Sequence, residues 1–372
     1  MKRSVLIAAL ALCLLLSACG APKPDRTAPE PTGHMALEYA ENFSVDYYGD
    51  DAALLTVAGS EQYLLLEHDA AIPQGFADVP VIRCPVEQVY LASSSVADLF
   101  AQLDALGCVR FTSTKASDWR LPAMQEALSS GSTLYAGKFS APDYELLLEQ
   151  GSDLVVENTM IFHEPATREK LETLGFPVLV EYSSYEPHPL GRVEWIKLYG
   201  LLTGRLAEAE AFFAEQAETV RQLSAVEKTG RTVAFFYITP SGAVVVRKSA
   251  DYVTRMIELA GGASALTDLP EDDSALSSVT IQMESFYAQA KDADVLIYNS
   301  TVPGDLTRLE DLLAQAPLLS DCRAVQTGEV WCTEQSMYQE SMELAWFIKD
   351  VNLILNDPDI DDSELTYLYR LT

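Results

Sequence analysis

Strand patterns and helix patterns alternate from Val81 onward, and this alternation limits the fold more than any other feature of the chain. In the first half, strand patterns cover 88–91, 109–112, 134–135, 154–156 and 177–182. Helical patterns cover 95–106, 121–129, 142–150 and 164–174 between them. Alternation with short connections is typical of a parallel sheet with helices on both faces. The first half therefore predicts an α/β lobe, preceded by a hairpin over 43–67.

A helical region interrupts the alternation once. Over 206–226, apolar residues recur at steps of three and four residues, which predicts one long amphipathic helix. Afterwards strands are predicted over 233–238 and 295–297, a hairpin over 322–332, and helices over 252–260, 284–290, 306–315 and 337–355. The fold class is therefore α/β, with two parallel-sheet lobes joined by a single long helix and a ligand cleft between the lobes. The predicted boundaries are 37–204 for the N-terminal lobe, 205–228 for the connecting helix and 229–372 for the C-terminal lobe.

A short motif is repeated once in each predicted lobe. The stretch from Asp153 to Asn158 (DLVVEN) resembles the stretch from Asp294 to Asn299 (DVLIYN). Each follows a short helical pattern that carries an acidic residue, Glu145 or Glu284. The repeat indicates that the two lobes have similar structures.

The N-terminus carries the signals of export. Lys2 and Arg3 precede an apolar run over 5–16, which is shorter than the roughly 20 residues that span a membrane. The following Leu16-Ser-Ala-Cys19 looks like the bacterial lipobox, whose cysteine becomes the acylated first residue. We therefore expect a signal peptide over 1–18, a lipid on Cys19 and a proline-rich flexible tether over 19–36. The protein should be extracytoplasmic and anchored to the cell membrane.

Charge and cysteine content narrow the possibilities further. The chain has 25 Lys and Arg against 55 Asp and Glu, which opposes binding to nucleic acid. Cysteines in an exported protein usually pair. Cys84 and Cys108 precede strands expected to be parallel neighbours, and Cys322 and Cys332 flank the predicted hairpin. The sequence predicts disulfides Cys84–Cys108 and Cys322–Cys332, with free buried thiols as the alternative.

Several stretches together resemble one protein family. They are 85–95, 144–148 before Asp153, Glu284 before 293–295, and 328–331. These resemble the extracytoplasmic solute-binding proteins of ABC transporters for iron–siderophore complexes, haem and vitamin B12. The resemblance implies capture of a ligand without chemistry, hence no enzyme, no catalytic residue and no resident cofactor or metal. It also implies delivery to an ABC permease and its ATPase, with one docking glutamate on each lobe, matched here by Glu145 and Glu284.

The candidate ligand-binding residues follow from the rule that ligands bind beyond the carboxyl ends of parallel strands. Tyrosines and several of the scarce cations lie at these ends, which suits a bulky, partly apolar, anionic ligand. A ferric siderophore or haem fits this description, and a corrinoid fits it less well on charge. The candidates are Ser94, Lys115, Lys138, His163, Tyr185, His188, Arg192, Tyr237, Arg247, Tyr298 and Tyr338.

Two other functions remain open at this stage. A bare zinc or manganese ion could be held by His163, His188 and a carboxylate such as Glu157. An extracytoplasmic metal-dependent enzyme could use the same two-lobed frame. The segment 186–192 is either a wall of the cleft or a helix start at which Glu186 and Arg192 pair.

Overall fold

The computed structural model describes residues 29–225, 228–270, 278–302, 304–357 and 359–372. The predicted signal peptide, Cys19 and the first part of the tether lie outside these ranges. Within them, no helix has both the length and the apolar character needed to cross a membrane.

The first described residues form a sheet of their own. Its strands are β1 (Gly33–His34), β2 (Phe43–Tyr47), β3 (Ala52–Val57), β4 (Glu61–Glu67) and β5 (Val81–Cys84). They pair in chain order, antiparallel up to β4, with β5 parallel to β4. One face, with Phe43, Leu55 and Leu65, joins the main core, and the other face packs beneath Phe76. The hairpin predicted over 43–67 is thus part of a larger, two-sided sheet.

The N-terminal lobe is built on a parallel sheet, as predicted. Its strands β6 (Val89–Leu91), β7 (Val109–Thr112), β8 (Leu134–Tyr135), β11 (Leu154–Asn158) and β12 (Val178–Glu181) lie in the order β12-β11-β6-β7-β8. The short strands β9 (Gly137–Lys138) and β10 (Ala141–Pro142) pair with each other. The helices are α1 (Ala97–Gln102), α2 (Pro122–Ser130), α3 (Tyr144–Gln150) and α4 (Pro165–Thr173).

Helices connect this lobe to the next. They are α5 (Pro189–Glu194), α6 (Ile196–Thr203) and the long α7 (Leu206–Ser224), which buries Ala209, Phe213, Ala217 and Val220 on one stripe. Gly204, with φ of 72°, ends α6 in the left-handed region. Gly200 lets α6 lie against α7, since a Cβ there would be only 2.6 Å from the Cβ of Ala209. The connecting helix therefore packs directly on the N-terminal lobe.

The C-terminal lobe has a mixed sheet. Parallel strands β13 (Thr232–Ile238), β17 (Val295–Tyr298) and β18 (Val330–Thr333) form its centre. The antiparallel β14 (Val244–Arg247), β16 (Ser278–Ile281) and β19 (Leu368–Arg370) extend it, and the short β15 (Ala263–Ser264) pairs with β13. The helices are α8 (Tyr252–Leu259), α9 (Met283–Ala290), α10 (Leu309–Gln315), α11 (Arg323–Thr327) and α12 (Leu344–Asn356). The two-lobed α/β fold is confirmed, with a C-terminal sheet that is only partly parallel.

The repeated motif has the same structural role in both lobes. The Asp153 carboxylate accepts hydrogen bonds from the amides of Glu87 and Gln88 at 2.6 and 3.0 Å, just before β6. The Asp294 carboxylate accepts one from the amide of Thr232 at 2.8 Å, at the start of β13. In each lobe, the aspartate that precedes one strand binds the backbone amides at the start of the neighbouring parallel strand. These amides have no partner in the sheet, so the aspartate satisfies them.

The structure does not contain the predicted disulfides, and Cys84, Cys108, Cys322 and Cys332 are all free in it. The strands that follow Cys84 and Cys108, β6 and β7, are parallel neighbours as predicted, but Cys84 itself ends β5 of the N-terminal sheet, whereas Cys108 directly precedes β7. Cys322 and Cys332 do not flank a hairpin. Helix α11 follows Cys322, and Cys332 lies on β18, which pairs with β17 and β19.

Thiol titration tests whether these four cysteines are free. A protein of residues 29–372, purified without reductant and unfolded in denaturant, should give four thiols per chain with a disulfide-exchange reagent. The native protein should react slowly, because burial raises the pKa of Cys84 to about 12 and that of Cys322 to about 11. Two thiols, or none, in the unfolded protein would show that one or both of the predicted disulfides form.

Candidate functional site

A cavity of about 340 Å³ lies between the two lobes, and we call it the interlobe cavity. Most of its lining follows the carboxyl ends of β6, β12, β17 and β18, the position expected for a ligand in a parallel sheet. Side chains from both lobes take part: Ser94, Ser95, Ser184, Arg192, Arg247, Tyr252, Thr301, Gln335, Tyr338 and Gln339.

Arg192 provides one cation of this cavity. It lies on α5, is only 4% exposed, and its guanidinium is 4.9 Å from the ring centre of Tyr252 on the C-terminal lobe. Its Nε has no hydrogen-bond acceptor among the described residues. Burial raises the pKa of the nearby Glu181 carboxyl, and the charge of Arg192 offsets part of that rise. A buried guanidinium with an unused donor favours an anionic or carbonyl acceptor in the cavity.

Arg247 provides a second cation from the opposite lobe. It ends β14, its side chain is 17% exposed, and it lies 3.6 Å from the carboxylate of Asp251. Its guanidinium donates to the hydroxyl oxygen of Tyr338, which also accepts from Asn299 Nδ2 at 3.3 Å. Burial raises the pKa of Tyr338, so the phenol keeps its proton at neutral pH. Because the Tyr338 oxygen accepts from two donors, its own proton is free to point towards a ligand.

The rest of the lining is neutral and polar. Ser94, Ser95, Ser184 and Thr301 supply hydroxyls, and Gln335 and Gln339 supply amides. Among the described residues, the lining includes no carboxylate, histidine or cysteine. Two arginines, two tyrosine rings and neutral donors form a site that suits an anion with a flat or apolar surface.

One side of the cavity is bridged by hydrogen bonds between the lobes. The segment 335–342 of the C-terminal lobe contacts the N-terminal lobe at several points. Arg120 donates from Nε to Gln335 and from its amide to Gln339, both at 2.6 Å. Ser341 Oγ donates to the carbonyl of Ser95 at 2.6 Å, and the Met342 amide to Asp98 at 2.7 Å. These bonds hold the lobes together beside the cavity.

The structure brings together four of the predicted ligand-binding residues. Ser94, Arg192, Arg247 and Tyr338 line the interlobe cavity. Tyr252, Ser184, Thr301 and Gln339 also line it, although the sequence analysis did not select them. Ser184 and Thr301 are each the third residue after a strand, β12 or β17, so the strand-end rule could have included them. Tyr252 begins α8 after a loop, and no sequence signal indicates its position in the cavity.

The other predicted residues do not line this cavity. Lys115, Lys138 and His163 are all exposed: Lys115 lies in a loop, Lys138 on the short strand β9 and His163 at the end of a 3₁₀ helix. Tyr298 is buried in the core of the C-terminal lobe, where its ring is 5.7 Å from that of Phe236. Side chains alternate across a sheet, so a residue near a strand end faces the cavity or the core according to its register.

The remaining candidates are half-buried and already engaged. Tyr185 shares a hydrogen bond of 3.0 Å with the hydroxyl of Thr159. Tyr237 packs against the core of the C-terminal lobe. His188 precedes α5 and accepts from the Leu190 amide at 3.1 Å, which caps the helix. Burial and the charge of Arg255 lower the pKa of His188, so its imidazole stays neutral at a lower pH than that of an ordinary histidine.

The segment 186–192 combines two roles that the sequence analysis treated as alternatives. Arg192 lines the interlobe cavity. Glu186 does not pair with Arg192, because its carboxylate accepts from the amides of Glu41 and Asn42 at 2.9 Å and from Trp195 Nε1 at 2.8 Å. The two side chains therefore face opposite sides of the segment.

The residues considered as metal ligands, His163, His188 and Glu157, do not form a metal site among the described residues. In the described ranges, no group of three or more His, Cys, Asp or Glu side chains is arranged to hold a metal ion. His163 is exposed, and His188 uses Nδ1 for the helix cap. Glu157 is fully buried near the end of β11, and neither of its oxygens has a hydrogen-bond partner among the described residues.

Glu145 and Glu284 occupy matching positions. Both are exposed and lie in the first turn of a short helix, α3 or α9. Each helix leads into the strand that begins after Asp153 or Asp294. The two lobes thus present one acidic side chain each at related places on the surface.

Comparison with known proteins identifies the family. A profile of the periplasmic binding proteins matches residues 89–336, which is more than half of the chain. The chain belongs to the periplasmic binding protein family. Members of this family bind small-molecule ligands and work with ABC transporter permeases. The matched range covers the parallel sheet of the N-terminal lobe, most of the C-terminal lobe and every lining residue up to Gln335.

Individual relatives agree with this assignment. An uncharacterized lipoprotein of Methanocaldococcus jannaschii is 25% identical over 354 residues, 91% of this chain and 88% of the relative. The periplasmic heme-binding protein HutB of Vibrio cholerae has a TM-score of 0.59 and 16% identity, covering 72% of this chain and 98% of its own. The petrobactin-binding protein YclQ of Bacillus subtilis has a TM-score of 0.57 and 12% identity, covering 73% and 92%. At these identities the two structures show the shared fold.

The buried Glu157 predicts how stability depends on pH. Burial raises its pKa from 4.5 to about 8, so between these values the folded protein keeps a proton that the unfolded chain has lost. The free energy of unfolding should therefore fall as pH rises through this window, by at most about 1.4 kcal/mol per unit. Glu157→Gln should remove this loss and unfold at higher denaturant concentration at pH 8 than the wild type. Exposed Glu145→Gln is the control, and equal pH slopes in wild type and Glu157→Gln would contradict the argument.

Proposed function

We propose that this protein captures an anionic iron complex, a ferric siderophore or haem, outside the cytoplasm and delivers it to an ABC permease for import. The observation that carries the proposal is the pair of arginines, Arg192 and Arg247, which come from different lobes and both line the interlobe cavity. Each lies against a tyrosine ring, at 4.9 and 5.2 Å. An anion between them binds both lobes at once and favours their closed arrangement.

The overall charge of the chain makes this pair informative. With a formal net charge of −30, most of the protein repels an anionic ligand. Two largely buried arginines in one cavity act against that background, and their poor hydration makes their hydrogen bonds to a carboxylate or phenolate strong. A corrinoid carries less negative charge, and is therefore the second candidate.

Ligand coordination also favours a chelate over a bare ion. A bare zinc or manganese ion needs several His, Cys or carboxylate ligands from the protein. The described lining offers arginines, tyrosines and neutral groups instead. A siderophore or porphyrin supplies the iron ligands itself, so the protein has only to recognise its periphery. Such capture involves no bond-making step, and we propose no enzymatic activity.

The N-terminal sequence supports attachment to the membrane. The Leu16-Ser-Ala-Cys19 stretch fits lipidation at Cys19, and two matching relatives from M. jannaschii are named lipoproteins. We propose that the lipid on Cys19 holds the two lobes beside the permease, through the tether over 19–36.

Docking on the permease would use one acidic residue from each lobe. Glu145 and Glu284 are exposed at matching helix starts, where complementary arginines of a permease could reach them. Charge pairs at such positions steer association and fix orientation more than they add affinity. Ligand release would follow from separation of the lobes as each is held by its own docking contact.

Tryptophan and tyrosine fluorescence of residues 29–372 tests the function. The protein is titrated with ferric siderophores of different chemistry, haemin, cyanocobalamin, zinc and manganese. Quenching that saturates near one equivalent with a ferric siderophore or haemin supports the proposal. Saturation only with cyanocobalamin would show that the protein binds a corrinoid instead. Saturation only with zinc or manganese would show that it binds a bare metal ion and not an iron chelate.

Substitution of the two arginines tests the site. Arg192→Gln and Arg247→Gln should each weaken binding of the anionic complex by about 10–100-fold, since a hydrogen bond to a charged group contributes about 1.5–3 kcal/mol. Lys115→Gln is the matched control, because it removes an equal charge from an exposed residue outside the cavity. Equal affinities in all three variants would place the ligand elsewhere.

A further inference from the structure

Residues 35–42 form a segment that we call the N-terminal strap, and it lies along helix α5. Consecutive backbone amides of the strap donate to two carboxylates at the ends of this helix. The amides of Glu38, Tyr39 and Ala40 donate to Glu194 at 2.8–3.0 Å. The next two amides, of Glu41 and Asn42, donate to Glu186. The strap is therefore bound at both ends of α5.

Side chains and close packing strengthen this contact. The ring of Tyr39 stacks on that of His188 with centres 4.6 Å apart. Lys197 Nζ donates to the carbonyl of Ala36 at 2.9 Å and to Glu194 at 2.7 Å. Gly191, in the middle of α5, leaves room for the strap, because a Cβ there would be 2.8 Å from the backbone oxygen of Tyr39.

Helix α5 and its two buried glutamates need the strap as a packing and hydrogen-bonding partner. Glu186 and Glu194 are 1% and 0% exposed, and a buried carboxylate is costly unless it is hydrogen-bonded. Helix α5 has only six residues, too few to hold its own conformation in water. Its place is therefore set by what it packs against, namely the strap, α7 and α8.

Arg192 lies on the same short helix and points away from the strap. While Glu186 and Glu194 take the strap amides, the Arg192 guanidinium contacts Tyr252 of the C-terminal lobe in the interlobe cavity. A shift of α5 towards or away from the strap would move this guanidinium by a similar distance. The strap precedes residue 89, where the match to the family begins.

We propose that the N-terminal strap positions Arg192, so that a segment outside the family domain is part of the ligand site. Glu186 and Glu194 act here as positioning residues, since they contact the strap and not the cavity. The structural part of the inference stands without the proposed function, and only its effect on affinity depends on it.

Gly191→Ala and Glu194→Gln test the positioning without any ligand. Alanine favours a helix more than glycine does, so destabilisation by Gly191→Ala would come from the strap contact. We expect the ¹⁵Nε–H signal of Arg192, assigned with Arg192→Lys, to shift and to exchange with solvent at least about tenfold faster in both variants. Gly107→Ala, at a glycine with open space around it, and exposed Glu208→Gln are the matched controls.

Binding of haemin provides the second measurement. In a double-mutant cycle, Glu194→Gln should weaken haemin binding about tenfold when Arg192 is present and have no further effect in Arg192→Gln. An unchanged Arg192 signal in folded Gly191→Ala and Glu194→Gln proteins would overturn the inference. If both fail to fold, Tyr39→Leu, which removes the ring contacts with His188 and Phe213 and keeps the backbone amides of the strap, takes their place and must show the same changes.

The two failures are distinguishable. If neither haemin nor any ferric siderophore binds the wild type but the Arg192 signal changes as expected, positioning holds and the ligand of the proposed function is wrong; if only a siderophore binds, the cycle is measured with that siderophore. If haemin binds and the two substitutions act independently in the cycle, the function stands and the strap is only structural.

Discussion

The buried carboxylates of Glu186 and Glu194 are the contacts on which the arrangement of the interlobe cavity depends. Each is removed from water, and apart from one side-chain donor each, Lys197 for Glu194 and Trp195 for Glu186, the hydrogen bonds it accepts come from the strap. Helix α5 is too short to be stable alone, so these bonds determine where its residues point. Arg192 faces the cavity because the opposite side of the same turn faces the strap.

A second constraint is the balance of charge around the cavity. The chain is strongly acidic, yet the cavity receives an arginine from each lobe and, in its described lining, no carboxylate. Arg247 is held by Asp251 and Tyr338, whereas Arg192 keeps an Nε donor without a described acceptor. The two arginines therefore differ in how many further hydrogen bonds each can donate to a ligand. Arg192 has more unused hydrogen-bonding capacity, and it is also the one whose position depends on a short helix.

Some features could be predicted from the sequence because they follow from local patterns. Apolar periodicity identified the strands, the helices and the long connecting helix α7, and the repeat around Asp153 and Asp294 indicated two similar lobes. The strand-end rule selected Ser94 and Tyr338, which do line the cavity. The same rule selected Tyr298, which faces the core instead, because the rule places a residue along a strand and not on one side of it. The predicted disulfide between Cys84 and Cys108 is absent although the strands that follow them, β6 and β7, are parallel neighbours as expected, because strand order alone does not set the distance between the two sulfurs.

By itself the sequence determined the α/β class, the two lobes, the acidic surface and the family resemblance, since each depends on composition or on periodicity within a short window. Only the tertiary structure decided which cations share a cavity, that Tyr252 joins them, and that Glu186 binds the strap rather than Arg192. These contacts join residues far apart in the chain, such as Glu38 and Glu194 or Arg192 and Tyr252. Their partners are chosen by packing and by the need to satisfy buried polar groups, and neither leaves a local pattern.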